Sequence, residues 1–329
     1  MAHIPVAFGL MTHTQGTIQD TPQGIPQGMH KAACQPTLLS AETTAVLQNP
    51  IPLSASIAAN SPVKITDQLP FGIAVERFNL PQAGPSEFNQ LKHWLGWHGV
   101  AVLRGAFAQF DTADQIGRDA ALTRFLAQLG PLTFTDGETP VSHQRMLNCV
   151  SNVGRSTPPK SVFHTDTSYV QNPPAYTALR AVALPKSGGD TVFSNQFLAY
   201  DTLPLAIKQR LAGVQVLHQV SGLPVDKLVG TPTELQNWHP LFKIHPITGR
   251  TALFLSTPQR CLAMTGFSEA QARRIIALLY RHSTRPYRAM HHRWQADDLL
   301  IWDNRCTMHR GDHAKVVGDR VFHRGMVLP

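Results

Sequence analysis

The chain has 329 residues, 43% of them hydrophobic, enough apolar material for one large domain or two small ones. Its formal net charge of +8 arises with only 15% charged residues, so the excess reflects scarce acids rather than basic runs. That pattern does not read as nucleic-acid binding, although it favours the approach of anionic small molecules. No apolar run reaches the length of a membrane-spanning helix, and no basic patch followed by an apolar stretch opens the chain. The cysteines Cys34, Cys149, Cys261 and Cys306 are scattered without a C-x-x-C pair. The expectation is a cytoplasmic protein with small buried thiols, acting on neither nucleic acid nor membrane.

Residues 1–65 are rich in Gln, Thr, Pro, Ser and Ala and hold few large apolar residues at regular spacing. They read as a flexible or surface-wrapping extension, with residues 66–329 as the folded domain. Pro85-Ser86-Glu87-Phe88 opens a helix whose apolar face carries Phe88, Leu91, Trp94 and Leu95, and Gly99 stops it. Val100–Arg104 is a short apolar run ended by glycine, a buried strand. Residues 112–129 form a second helical pattern with Ile116, Leu122, Phe125, Leu126 and Leu129 on its buried side. From about residue 160 short strands dominate: 176–184, 190–194, 214–220, 241–245, 251–255, 298–302 and 320–328. Helical patterns at 195–212 and from Ser268 onward interrupt them, and Ser268 suits an N-cap. The expected class is α+β, mainly β: a jelly roll, or double-stranded β-helix, with flanking helices. The connection over 221–240 has few regular signals and reads as a loop that could cover a site.

Within this frame one stretch carries chemistry: Phe163-His164-Thr165-Asp166-Thr167-Ser168-Tyr169. In extended backbone, residues two apart point to the same side, so His164 and Asp166 converge. A further histidine would complete a mixed nitrogen and oxygen set suited to iron(II), with open positions left over. His309 follows the strand-like Leu299–Arg305 and is the candidate. An H-x-D pair alone is weak, since a surface polar pair looks the same. Here it is followed by Gly188-Gly189-Asp190-Thr191, by Trp302-Asp303-Asn304-Arg305 leading to His309, and by Arg320 and Arg324 four apart.

In this order and spacing the chain resembles the TauD/TfdA family of iron(II)- and 2-oxoglutarate-dependent dioxygenases over about residues 65–329. The resemblance implies that His164, Asp166 and His309 bind iron as a facial triad, leaving positions for 2-oxoglutarate and dioxygen. It implies that Thr191 and Arg320 hold the distal carboxylate of 2-oxoglutarate. Guanidinium suits that task, because it grips a carboxylate with two parallel hydrogen bonds. Arg324 would lie nearer the metal and meet an anionic group of the substrate or the cosubstrate's 1-carboxylate. The implied reaction releases succinate and carbon dioxide and oxidises a substrate carbon. The carboxylate of Asp166 favours hydroxylation over halogenation, since halogenating relatives lack it.

The pattern departs from taurine-oxidising members at one point. Thr135 stands where those members carry a sulfonate-contacting histidine, which argues against taurine itself. Thr135, Tyr169 and Arg324 are the candidate substrate contacts, and the expected substrate is a small organic anion. Two other readings use the same residues. A zinc hydrolase with a bound water would need only the triad and gives Thr191 and Arg320 no shared task. A non-catalytic binding protein would keep the site without turnover. The sequence leaves monomer and homo-oligomer both open.

Overall fold

The computed structural model describes residues 64–67 (backbone only), 71–76, 78–135, 138–156, 161–220 and 235–329. The expected N-terminal extension falls outside them up to residue 63, as do residues 221–234 of the loop expected at 221–240. The described chain enters through antiparallel strands Lys64–Asp67 (β1) and Ile73–Glu76 (β2). Helix α1, Pro85–His98, then carries it to β3, Val100–Arg104, which runs parallel to β2. Proline at the first position of α1 loses no hydrogen bond, and Gly99 closes the helix at φ 75°. Helix α2, Gln115–Ala127, starts on the Asp114 side chain, which accepts from the Gly117 amide at 2.7 Å.

Short strands follow: Leu132–Thr133 (β4), Pro140–Val141 (β5), Gln144–Ser151 (β6), Tyr176–Ala183 (β7) and Thr191–Asn195 (β8). The helical pattern at 195–212 resolves into two short helices, Gln196–Asp201 (α3) and Leu205–Arg210 (α4). Pro204 separates them, because proline disfavours helical backbone in the residue before it. Strands Gln215–Gln219 (β9), Gln236–Pro240 (β10), Phe242–Ile244 (β11), Thr251–Leu253 (β12) and Cys261–Met264 (β13) lead to helix α5, Glu269–Ser283. Residues 236–240, expected as loop, are a strand paired with β9. Their alternation is of polar residues, with His239 buried and Trp238 exposed, so an apolar count misses it. Ser268 caps α5 as expected, with Gln271 completing a capping box. Strands Ala289–His292 (β14), Leu299–Asp303 (β15), Thr307–Gly311 (β16) and Val321–Val327 (β17) close the chain.

Two sheets frame the site, while β10-β9-β13 and β11-β12 pair separately. The larger has the order β1-β2-β3-β15-β7-β17-β6-β5, with β4 also on β17, and the smaller is β14-β8-β16. A two-residue bridge extends the smaller sheet: the amides and carbonyls of His164 and His309 exchange both hydrogen bonds at 2.9 Å. Strand β15 is buried throughout because both of its faces are covered. Leu299 and Ile301 face α1 and α2, whereas Leu300 and Trp302 face the smaller sheet. The space between the sheets is filled by Val100, Val102, Leu179, Phe193, Met290, Leu300, Trp302 and Phe322. This is the expected jelly roll with flanking helices.

One helix position differs from expectation. Ile116 is 64% exposed, while Leu122, Phe125, Leu126 and Leu129 are buried. Ile116 lies nine residues before Phe125, half a turn out of phase at about 100° per residue. The inward positions of that first turn belong to Arg118 and Asp119, which are buried in ion pairs.

Candidate active site

The strand period decides which side chains enter the space between the sheets. On β17, the side chains of Phe322, Arg324 and Met326 share one face, and Arg320 precedes them in the same phase. His323 points the other way, and its ring donates to Asp119 of α2 at 2.7 Å. On β8 and β16 the inward residues are Thr191, Phe193, Thr307 and His309, while Val192 and Met308 pack outward.

Three ligating atoms meet at this inner face. Nε2 of His164 and Nε2 of His309 lie 3.6 Å and 3.8 Å from Oδ1 of Asp166. The histidine rings are held by the bridge between their backbones, with centroids 4.3 Å apart. Nδ1–H of His164 donates to the carbonyl of Val162 at 3.0 Å, which fixes the tautomer and leaves Nε2 with its lone pair outward. His309 stacks against Trp302 at 4.4 Å. Thr167, directly after Asp166, has φ 40°, an uncommon value for a non-glycine residue, at the turn that brings the carboxylate back toward the histidines.

A buried relay sets the rotation of that carboxylate. The indole N–H of Trp302 donates to Oδ1 of Asn304 at 3.1 Å, Nδ2 of Asn304 donates to Oγ1 of Thr177 at 2.8 Å, and Thr177 donates to Oδ2 of Asp166 at 2.8 Å. Oδ1 is thereby left facing the histidines and Arg324, whose Nη1 is 3.4 Å away. Burial alone would raise the Asp166 carboxyl, but His309, Arg324 and His164 outweigh it and hold it well below the usual carboxylate range. Burial also pushes His309 down to about 3, so it is neutral at pH 7. Arg324 is therefore the cation that keeps Asp166 ionised there. A neutral imidazole pair and an ionised carboxylate are the states that bind a divalent metal.

The donor set fits iron(II), with two nitrogens, one oxygen and an open side. A second group of similar composition, His245, Asp303 and Cys306, does not fit a metal. Asp303 already accepts from Arg305 at 2.5 Å and 2.9 Å and from His245 at 3.0 Å, so a cation would have to displace a guanidinium. Burial raises the Cys306 thiol well above its ordinary range. The W-D-N-R stretch thus divides its work: Trp302 and Asn304 orient Asp166, while Asp303 and Arg305 clasp each other and the β11–β12 hairpin through His245.

The residues expected to hold 2-oxoglutarate lie at one end of the same face. Arg320 is buried, and its Nε donates to the carbonyl of Gly189 at 3.0 Å. Among the described residues no carboxylate pairs with it, and burial lowers it to about 10. Thr191 is buried and accepts from the indole N–H of Trp294 at 3.1 Å. An indole only donates, so the Thr191 hydroxyl hydrogen remains free for an acceptor. Trp294, in the connection between β14 and β15, carried no signal in the sequence. A free carboxylate would satisfy both Arg320 and Thr191.

Of the candidate substrate contacts, Arg324 is not free. Its Nη2 pairs with Glu138 at 2.6 Å. Thr135 is half-buried with its hydroxyl 4.0 Å from the sulfur of Met326. Tyr169 is buried, its carbonyl accepting from Asn237 at 2.8 Å. Glu138 and Arg260, whose guanidinium lies 5.1 Å from the Tyr169 ring centroid, were not singled out by the sequence. Neither sits in a motif, and both are brought in by loops.

The taurine catabolism dioxygenase TauD, TfdA family matches residues 65–326. An alpha-ketoglutarate-dependent 2,4-dichlorophenoxyacetate dioxygenase of Cupriavidus pinatubonensis is 28% identical over 281 residues, covering 78% of this chain and 94% of that protein. An alpha-ketoglutarate-dependent sulfate ester dioxygenase of Pseudomonas putida is 34% identical over 160 residues, covering 45% of this chain and 52% of that one. A taurine dioxygenase from Burkholderia xenovorans superposes with a TM-score of 0.67 at 26% identity, covering 82% of this chain and 90% of its own. The chain belongs to the TauD/TfdA family of iron(II)- and 2-oxoglutarate-dependent dioxygenases and is, as such, an oxidoreductase.

Proposed function

We propose that the protein hydroxylates a small organic anion, carboxylate, sulfate or sulfonate in type, with release of succinate and carbon dioxide, and that residues 66–329 form the catalytic domain. His164, Asp166 and His309 would hold iron(II). When bound, iron with 2-oxoglutarate activates dioxygen and supplies the oxidant for a carbon–hydrogen bond. The chain's own residues do the placing. Trp302, Asn304 and Thr177 keep Asp166 turned so that one oxygen is offered to the metal. Arg320 and Thr191 would take the distal carboxylate of 2-oxoglutarate, and Arg324 would face its 1-carboxylate or the substrate. Tyr169 and Thr135 line the approach and exclude water.

The observation that carries this reading is Arg320: a buried guanidinium with one backbone acceptor and no described carboxylate partner. Isolated buried charge is costly, so an anionic ligand is its natural complement. A zinc hydrolase would give it no task. The test is an anaerobic absorbance titration with iron(II) and 2-oxoglutarate. A charge-transfer band, together with succinate release that requires oxygen, is expected. Absence of that band with iron bound would refute the proposal.

A further inference from the structure

Two guanidiniums lie near the triad, Arg324 at Asp166 and Arg260 at the Thr165 backbone, and they differ in one respect. Arg324 is neutralised, with Glu138 at 2.6 Å and Asp166 at 3.4 Å. Arg260 is not. Its Nη1 donates to the carbonyl of Thr165 at 3.0 Å, between the ligands His164 and Asp166. Among the described residues its buried Nε has no acceptor and no carboxylate forms an ion pair with it. Its charged end lies over the ring of Tyr169, close enough to Asp166 and Glu138 for their charges to be felt. Like Arg320, it has one backbone acceptor and, among the described residues, no counter-ion, but it is only part-buried. Buried Arg288 also lacks a carboxylate, but it spends its donors on the carbonyl of His282 near the end of α5 and on Thr202 at 2.6 Å. A helix C-terminus offsets that charge. Among the described residues nothing comparable faces Arg260.

Building on the dioxygenase reading, we propose that Arg260, rather than Arg324, holds the oxyanion of the primary substrate, with the ring of Tyr169 beneath it. Its remaining N–H groups offer the fork that a carboxylate, sulfate or sulfonate accepts. Arg324 stays engaged by Glu138 and serves the carboxylate side of the metal. The half-exposed position of Arg260 leaves it reachable from solvent. This assigns specificity to the loop between β12 and β13, which no motif marks. It also suits a site that has Thr135 where taurine-oxidising members carry a sulfonate-contacting histidine, since the anion would be gripped by Arg260 instead.

The test compares wild type with Arg260→Ala and Arg260→Lys, each loaded anaerobically with iron(II) and 2-oxoglutarate. The probes are an aryloxyacetate, a medium-chain alkyl sulfate, an alkanesulfonate, the matching neutral alcohols and inorganic sulfate, read as shifts of the charge-transfer band. In the wild type at least one oxyanion shifts the band and its alcohol does not. In Arg260→Ala that oxyanion's Kd rises about 10- to 100-fold, the weight of a charged hydrogen-bond pair. Arg260→Lys, which keeps a donor for Thr165, falls between, and the Kd of 2-oxoglutarate moves less than about twofold. Unchanged oxyanion affinity in Arg260→Ala overturns the proposal. So does loss of iron or 2-oxoglutarate binding in step with the oxyanion, which would make Arg260 a support for the Thr165 backbone. A wild type in which no oxyanion shifts the band also overturns it. A wild type with no band at all defeats the dioxygenase reading itself, and this inference with it.

Discussion

The hydroxyl of Thr177 donates to Oδ2 of Asp166 at 2.8 Å, and this single contact decides which carboxylate oxygen faces His164 and His309. Thr177 is in turn held by Asn304, so its hydrogen has no other direction to take. Replacing Thr177 by valine keeps the shape and removes the donor. Oδ2 is then buried without a partner, and the carboxylate is free to rotate. Partners one step beyond the ligands typically carry 10- to 100-fold in metal affinity. Iron(II) affinity in Thr177→Val should fall by about that factor with the fold intact. Circular dichroism and an anaerobic metal titration check both halves, and wild-type affinity would remove the relay from the account.

Gly189 and Arg320 form the second dependent pair. Gly189 has φ +83°, and a Cβ there would lie 2.9 Å from Pro185 Cγ and 3.2 Å from Arg320 Cδ. Alanine costs about 1–2 kcal/mol in backbone strain and pushes the arginine off its carbonyl. Gly189→Ala should therefore weaken 2-oxoglutarate about tenfold, whereas Arg320→Ala should weaken it about 100-fold by removing both charged hydrogen bonds. Isothermal titration under nitrogen with iron present reads both. Equal affinities in all three proteins would mean that the distal carboxylate binds elsewhere.

Trp294 bears on the same ligand from the other side. Its N–H occupies the acceptor face of Thr191, so the hydroxyl hydrogen points toward the pocket. Trp294→Phe keeps an aromatic ring beside His292, with which the indole packs at 4.6 Å, and deletes the donor. The Kd of 2-oxoglutarate should rise about 3- to 10-fold, the scale of one neutral hydrogen bond, while iron affinity holds. A Thr191→Val, Trp294→Phe double variant should lose little more than Thr191→Val alone, since the two act through one hydroxyl.

How much of this was legible in the sequence depends on how local each signal is. His164 and Asp166 announce themselves because strand period puts residues two apart on one side, and Arg320 and Arg324 share a face of β17 for the same reason. The β15 strand was visible as an unbroken apolar run. The break at Pro204 was readable from the ring's demand on its neighbour, but the apolar pattern masked it. Strands β10 and β14 were not readable, because their inward positions include His239 and His292, polar side chains that only tertiary partners make tolerable in buried positions. Arg260, Glu138 and Trp294 were silent. Each acquires its role from a residue more than 90 positions away, the Thr165 backbone, Arg324 and Thr191 respectively.

Stability should depend on pH through histidines the fold keeps neutral. Burial lowers His239 to about 4 and His292 to about 3, and His218, packed among His239, Phe254 and Cys261, lies well below its ordinary value. In the unfolded chain each takes up a proton near pH 6.5, while the folded protein refuses it until far lower pH. Below pH 6.5 the unfolded state therefore binds more protons, and unfolding free energy falls as pH falls. The contribution is fully present above about pH 6.5 and is lost between there and about pH 4, at roughly 1.4 kcal/mol per pH unit for each fully neutral histidine. Metal-free protein should show a urea midpoint that is flat from pH 8 to 7 and drops steeply from pH 6 to 4. His292→Gln, which cannot be protonated at this buried position beside Asp298, should shallow that slope by about one histidine's share. A midpoint independent of pH over 6 to 4, or a slope unaltered in the variant, would show that these rings accept protons in the folded state.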